Sequence, residues 1–133
     1  MGTNDMNDAL LLIAHGSRNA EANDDLHFIA AEIERGKVYS IAEPAFLELA
    51  EPTIDVAARR CVERGAGTIV LIPYFLSAGV HVRRDLQAWR EKLAREFLDV
   101  RVLLAEPIGR HPLMEAIVLE RAGEALTSKL LGK

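Results

Sequence analysis

The chain has 133 residues, half of them apolar, one cysteine and a formal net charge of −4 at pH 7. This length fits one domain with an ordinary hydrophobic core, and the apolar content excludes a disordered chain. The negative charge argues against a nucleic-acid binder, whose surface would be basic, and a single cysteine excludes an intrachain disulfide.

The sequence carries no sign of a membrane or export segment. No apolar run approaches the roughly 20 residues that cross a bilayer, and the polar, acidic start differs from a secretory signal. We expect a disordered or frayed N-terminus over residues 1–8, one α/β domain over residues 9–133 and a cytoplasmic location. Cys61 fits a reducing compartment and falls on the apolar face of a predicted helix, where a core role is expected.

The first half of the chain alternates strand and helix. A short apolar run over residues 9–14 is typical of a strand buried in a parallel sheet. Apolar residues at helical spacing over 22–33 predict a helix that Gly36 ends. A second strand follows over about 38–47, and Pro44 within it indicates a sheet edge.

The second half continues the same alternation. An apolar stripe over 54–62 predicts a helix that ends at Gly65, with Pro52 in its first turn. The remaining predicted elements are a strand over 68–75, a helix over 82–97, a strand over 100–105 and a helix from His111-Pro112 through Leu130.

Four strand–helix units with short connections predict a parallel sheet with helices on both faces. The expected architecture is an α/β, flavodoxin-like three-layer sandwich with strand order 2-1-3-4. In this order strands 1 and 3 are neighbours, and the chain changes direction between them. Ligands bind at such a switch point, outside the carboxyl ends of the strands.

Two histidines are predicted to lie at this switch point. His15 ends the first strand, and His81 follows the third strand after a loop containing Gly79. Either histidine alone could be structural, but the pair favours a functional site. Neutral imidazole binds divalent cobalt, nickel, iron and zinc, although two histidines are too few for a closed metal site. The pattern therefore indicates transient metal binding, or a site that another group or subunit completes.

The residues around His15 predict an anion site. Gly16 permits a close backbone approach or a positive φ, and Ser17 can cap the next helix, whose N-terminus attracts anions. Arg18 supplies a planar donor fork for carboxylate or phosphate. A histidine phosphatase would need an arginine directly before the histidine, where this chain has Ala14.

Glu48 is the candidate for a third metal ligand, because it ends the predicted second strand beside the first. It could equally be an exposed acid before a helix. His111 follows the fourth strand and could line the same rim or cap the last helix. Arg83, Arg84 and Arg110 are further basic candidates near this edge.

Four segments resemble the motifs of a known family, the small CbiX-type sirohydrochlorin chelatases of the class II chelatase group. They are residues 12–18 (LIAHGSR), 46–52 (FLELAEP), 72–82 (IPYFLSAGVHV) and 109–113 (GRHPL), in the family's order. The third segment has Ala78 where the family often has proline.

The resemblance implies a lyase that inserts a divalent metal into sirohydrochlorin, for cobalamin or sirohaem. Cobalt is the first candidate, with iron or nickel as alternatives; the metal is a substrate, and no organic cofactor is expected. His15 and His81 would be catalytic and bind the metal, with Glu48 as a further ligand. As the half-length form of the family, the chain is expected to be a homodimer. The carboxylates of sirohydrochlorin could be held by Ser17, Arg18, Arg83, Arg84, Arg110 and His111.

Two other functions stay open. A carrier of metal or tetrapyrrole would use the same residues without catalysis. A flavodoxin-like regulatory module would need a phosphate-accepting aspartate at a strand end, where the first strand ends in His15. No nucleic-acid or membrane partner is expected.

Overall fold

The computed structural model of the chain describes residues 7–128. Strands and helices alternate throughout this range, and each element overlaps a predicted one. In chain order they are β1 (Asn7–Ala14), α1 (Ala20–Arg35), β2 (Ile41–Phe46), α2 (Ile54–Glu63), β3 (Ala66–Pro73), α3 (Val80–Glu96), β4 (Arg101–Leu104) and α4 (Pro112–Thr127).

The strands form one parallel sheet in the order β2-β1-β3-β4, which confirms the predicted flavodoxin-like topology. Pro44 pairs with Leu12 of β1. Because β2 is the edge strand, the missing N–H of Pro44 does not break a central ladder. β1 and β3 are neighbours, as expected, so the switch point lies between their carboxyl ends.

Several predicted boundaries differ from the structure. β1 starts at Asn7, which takes Asn7 and Asp8 out of the predicted frayed segment; the rest of that segment lies outside the described residues. Helix α1 ends before Gly36, as predicted. Gly36 does not adopt the left-handed conformation that is common for a glycine after a helix: its φ is −71°, and the left-handed residue is Lys37, with a φ of 66°. Pro52 precedes the Thr53 N-cap of α2 instead of lying in its first turn.

The core lies mainly between the sheet and the layer formed by α2 and α3. Leu11, Ile13 and Leu71 of the sheet pack there with Ile54 and Cys61 of α2, all fully buried. The expected core role of Cys61 is confirmed, and its burial raises the pKa of the thiol to about 12. The opposite face carries α1, whose Leu26 and Ala30 pack on β1 and β2.

Helix α4 belongs to neither layer. It begins at Pro112 as predicted and ends at Thr127; Leu130 lies outside the described residues. No residue of α4 is buried. The sandwich is thus built by α1, α2 and α3. Among residues 7–128, no helix combines the length and apolar character needed to cross a lipid bilayer.

Candidate functional site

The backbone at His15 is fixed on both sides by the neighbouring strands. The ladder between β1 and β2 continues past the strand ends, because Leu47 N–H donates to the Ala14 carbonyl and Glu48 N–H to the His15 carbonyl, each at 3.0 Å. On the other side, Tyr74 N–H donates to the Ile13 carbonyl at 2.8 Å. His15 therefore occupies the predicted position, at the carboxyl edge of the sheet.

The imidazole of His15 rests on a buried aromatic ring. Its centroid lies 4.5 Å from that of Phe75, with the planes tilted by 35°. Phe75 is 6% exposed and belongs to the core, as expected. His15 itself is exposed. Packing thus restrains one face of the imidazole and leaves the remainder accessible to a ligand.

Gly16 brings the chain after β2 close to His15. Its φ is +99°, and an added Cβ would lie 1.8 Å from the Glu48 carbonyl oxygen and 3.2 Å from Phe46 Cβ. Both sequence predictions for Gly16, a close approach and a positive φ, are confirmed. Only glycine adopts this conformation without strain and also leaves room for Glu48.

His15 and Glu48 line one open cleft of about 440 Å³, a volume that suits a small-molecule site. Its second wall is helix α3. The half-buried Trp89 lies there, with Lys92 Nζ 4.7 Å from the centroid of its ring. The lining residues are His15, Leu47, Glu48, Val82, Asp85, Ala88, Trp89 and Lys92.

The α3 wall was missed by the sequence reasoning, which predicted the helix over 82–97 but assigned none of Asp85, Trp89 and Lys92 to the site. The signal lies in their spacing. Val82, Asp85, Trp89 and Lys92 follow steps of three and four residues and therefore share one side of the helix. This side borders the cleft because α3 starts at the switch point.

His81 follows β3 after the loop that contains Gly79, as predicted, and lies at the start of α3. β3 ends at Pro73, and the loop 74–79 separates it from His81, which is exposed in the first turn of α3. Its neighbour Val82 lines the His15 cleft. Within residues 7–128, no three histidine, cysteine or acidic side chains cluster closely enough to hold a metal ion. The structure therefore joins His15 with Glu48, but does not gather both with His81.

A second cavity of about 610 Å³ brings together Arg83, Arg110 and His111. Arg83 Nε donates to the Ala78 carbonyl at 3.2 Å, and its Nη1 lies 3.5 Å from Glu106 Oε1. His111 caps α4, because its Nδ1 accepts the Leu113 N–H at 3.1 Å. The cap uses one ring nitrogen and leaves Nε2 for a ligand.

The other predicted contacts lie on the loop before α1 and on α3. Ser17 is not the N-cap: Asn19 caps α1, and Ser17 Oγ accepts the Asn19 N–H at 3.0 Å. Arg18 and Arg84 are exposed, and neither forms an ion pair within the described part of the chain. Both guanidinium groups are accessible to an anionic ligand.

Known proteins resemble this chain over most of its length. Residues 9–125 match the family model described as CbiX. The chain is 37% identical over 118 residues to the sirohydrochlorin cobaltochelatase of Sulfolobus acidocaldarius, covering 89% of this chain and 92% of that protein. It is 35% identical over 120 residues to the chloroplastic sirohydrochlorin ferrochelatase of Arabidopsis thaliana, covering 90% of this chain and 53% of that protein.

Solved structures share the fold. A CbiX protein of Marinobacter aquaeolei superposes with a TM-score of 0.77 at 33% identity, covering 90% of this chain and 97% of that chain. SirB of Bacillus subtilis with Fe3+ gives a TM-score of 0.80 at 28% identity, covering 92% of this chain and 48% of SirB. The chain thus spans about half of the Arabidopsis and Bacillus proteins and nearly all of the Sulfolobus and Marinobacter ones. The family match confirms the resemblance that the four motifs indicated. Because it extends over residues 9–125, this chain belongs to the CbiX family.

Proposed function

We propose that this chain is a metallochelatase that inserts a divalent metal into sirohydrochlorin, in cobalamin or sirohaem biosynthesis. The observation that carries the proposal is the exposed imidazole of His15, packed on Phe75 and placed beside Glu48 in an open cleft. The Sulfolobus relative, 92% of whose length this chain matches, is named a sirohydrochlorin cobaltochelatase.

The chemistry of insertion suits these side chains. The macrocycle must lose N–H protons while the metal exchanges water for ring nitrogens. Imidazole gains and loses a proton near neutral pH and binds divalent cobalt, nickel or iron. His15 and His81 would take these roles, with the Glu48 carboxylate as a second acceptor beside His15. An incomplete ligand set favours the release of the metal to the macrocycle.

Sirohydrochlorin carries several carboxylates, for which the rim offers matched donors. Arg18 and Arg84 are exposed, and Arg110 and His111 line the second cavity together with Arg83. Charge-assisted hydrogen bonds from guanidinium to carboxylate are among the stronger polar contacts. We assign substrate binding to Ser17, Arg18, Arg83, Arg84, Arg110 and His111, and we add Lys92 from the structure.

Cobalt is the first candidate for the physiological metal. The Sulfolobus relative, 92% of whose length is matched, is named a cobaltochelatase, and SirB of Bacillus subtilis subspecies spizizenii has been solved in complex with cobalt. Iron is supported by the name of the Arabidopsis relative. Nickel stays an alternative on the chemistry of histidine alone.

We also propose a homodimer. One copy offers an open shelf at the carboxyl edge, whereas ligand sites bury most of their ligand. A second copy related by a two-fold axis would enclose the macrocycle and double the ligands. A cytoplasmic location stays a prediction from the cysteine usage.

Insertion is tested by mixing the purified protein with sirohydrochlorin and Co2+ and following the absorbance of the macrocycle in a single turnover. We expect His15→Ala and His81→Ala each to lose most of the rate with an unchanged circular dichroism spectrum, because both side chains are exposed. The matched control is His27→Ala, an exposed histidine on α1 that lines neither cavity.

Near-normal insertion by either site variant would contradict the assigned roles. Binding of metal or sirohydrochlorin without insertion by the parent protein would favour the alternative of a non-catalytic carrier.

A further inference from the structure

Leu49 combines an exposed apolar side chain with a left-handed backbone. It lies in the loop 47–53 between β2 and α2, its φ is 66°, and it is 53% exposed. A left-handed backbone crowds the Cβ of an L-residue, whereas glycine adopts this conformation freely and asparagine tolerates it. Exposure of a leucine side chain to water is also unfavourable. Glycine or asparagine would therefore suit the fold better than leucine at this position.

The neighbours of Leu49 hold its backbone in place. Glu48 N–H donates to the His15 carbonyl at 3.0 Å, which ties the loop to the end of β1. Leu47 packs against the core on the side of α2 and α3, and Ala50 packs on the opposite side, where α1 lies. Leu49, between these two anchored residues, is exposed instead. Packing within the chain thus fixes the position of Leu49 without using its side chain.

Two other non-glycine residues within 7–128 have a left-handed backbone, and they allow a comparison. Lys37, with a φ of 66°, follows the end of α1, where chains commonly turn left-handed to end a helix. Arg110, with a φ of 59°, lines the second cavity, among the residues that we assign to substrate binding. The loops that carry Leu49 and Arg110 follow the two outer strands at the carboxyl edge of the sheet. By its location Leu49 resembles Arg110, since no helix end explains its conformation.

We propose that Leu49 contacts the substrate, packing on the flat face of the sirohydrochlorin macrocycle. This inference rests on the proposed function and adds a specific residue to its substrate site. A metal held by His15 and Glu48 reaches the ring nitrogens through a face of the ring, so that face must lie over the mouth of the cleft. Consecutive Cα atoms are about 3.8 Å apart. A tetrapyrrole ring that covers Glu48 therefore also reaches Leu49.

The contact accounts for both unfavourable features of Leu49. A bound ring removes the leucine side chain from water, and the carbon-rich ring is an apolar partner for it, as the arginines are for the carboxylates at the ring's periphery. The anchored backbone fixes the position of the side chain before the ring binds, so less conformational freedom is lost on binding. The free energy that the left-handed leucine costs the free protein is offset in the complex.

Binding of sirohydrochlorin without added metal tests the contact apart from insertion. Trp89 is the only tryptophan of the chain and lines the His15 cleft, so quenching of its fluorescence by the coloured macrocycle reports binding. We expect Leu49→Asn, which suits the left-handed backbone, to weaken the affinity about fivefold to tenfold through loss of apolar contact. Leu49→Met, which conserves apolar volume, should stay within about twofold of the parent protein. With saturating sirohydrochlorin and Co2+, Leu49→Asn should insert metal at nearly the parental rate, because Leu49 touches the ring and not the metal.

The matched control is Lys37→Asn, the same replacement at a left-handed residue that lines neither cavity. Its affinity for sirohydrochlorin should equal that of the parent protein. Both asparagine variants should be at least as stable as the parent in urea, because asparagine tolerates the left-handed backbone. If Leu49→Asn is less stable, its side chain has a structural role; if its mass by light scattering differs from the parent's, it acts through association of chains. Either result would overturn the proposed contact.

The binding measurement also separates this contact from the proposed function. Parental affinity in Leu49→Asn would show that Leu49 does not touch the macrocycle, and would leave the assignment as a chelatase standing. If sirohydrochlorin does not bind to the parent protein, the proposed function is wrong and the contact of Leu49 is wrong with it.

Discussion

At the scale of single residues, the backbone conformation of Gly16 allows the chain at Glu48 to lie close to His15 in the cleft. Replacing Gly16 by alanine forces a side chain into a positive φ and against the Glu48 carbonyl. We expect Gly16→Ala to lose about 1–3 kcal/mol of unfolding free energy and most of the insertion rate, because Glu48 must move away from His15. Urea unfolding and the single-turnover assay measure the two effects.

The control for this variant is Gly36→Ala. Gly36 has an ordinary φ of −71°, and the nearest atom to an added Cβ lies at 3.5 Å. This variant should be close to the parent protein in both measurements. A Gly16→Ala variant as stable as Gly36→Ala would show that the approach of the two loops can relax without strain.

A second residue-scale feature is the ion-pair group around Arg64, which joins the end of α2 to α1 and β2. Arg64 Nη1 lies 2.7 Å from Glu34 Oε2 and 2.8 Å from Glu43 Oε2. Glu34 Oε2 also accepts the Ala42 N–H at 2.8 Å. Partial burial raises the pKa of Glu34, but the hydrogen bonds from Arg64 and Ala42 outweigh it, so its pKa is lowered overall.

A carboxyl group whose pKa is lower in the folded than in the unfolded protein stabilises the fold at pH values above its unfolded-state pKa. This stabilisation disappears as the pH falls through the folded-state pKa. We expect Arg64→Met to lose about 1 kcal/mol at pH 7, a modest amount because Arg64 is 39% exposed. The loss should shrink below pH 4.5, the reference pKa of Glu34, as the carboxyl is protonated. Urea unfolding at several pH values measures it.

Arg59→Met is the comparison, since the pair of Arg59 with Glu96 is more exposed. Its effect should be near zero at each pH. A loss in Arg64→Met that is independent of pH would assign the effect to packing of the arginine stem and not to the ion pairs.

At the scale of elements, α3 is more than a covering helix. Its buried side holds Leu86 and Leu93 in the core, and an adjacent side places Trp89 and Lys92 on the cleft. The same helix presents Arg84 at its start. This one helix thus contributes core residues, His81 and cationic groups that suit an anionic macrocycle.

We expect Lys92→Ala, Arg84→Ala and Arg18→Ala each to raise KM about threefold to tenfold with little change in kcat, the result of losing contacts made equally in substrate and transition state. Steady-state insertion at several sirohydrochlorin concentrations measures both constants. Added salt should raise the KM of the parent protein, because exposed charges are screened. Arg95→Ala, exposed on α3 outside the cleft, should have an unchanged KM. A KM insensitive to salt and to all three site variants would rule out carboxylate binding at this rim.

At the scale of the whole molecule, the proposed dimer makes activity depend on concentration. If a second copy completes the cleft, the insertion rate per chain should fall on dilution below the dimer dissociation constant. Rates measured over a dilution series are compared with masses from light scattering over the same range. A chain that is monomeric and fully active throughout would show that one copy suffices.

The sequence by itself determined the order and type of the elements and the position of His15. Apolar periodicity reports local geometry, and Pro44 marked the edge strand because a missing N–H is tolerated there. The connection rules then left few sheet orders, which placed His15 beside the end of β3. The conformation of Gly16 could also be predicted, because a close approach of the backbone and a positive φ depend on glycine having no side chain.

The tertiary structure decided which surfaces lie opposite each other and which side chains line the cleft. Trp89 has the spacing of a core residue and does pack against the core, and only the position of α3 beside the loop after β2 also places it in the lining of the cleft. His81 follows β3 in sequence, but the loop 74–79 carries it onto α3. The last helix was predicted correctly as a helix, yet its spacing could not show that it packs outside the sandwich. Periodicity defines the face of an element, whereas the surface opposite that face is set by contacts between residues far apart in the chain.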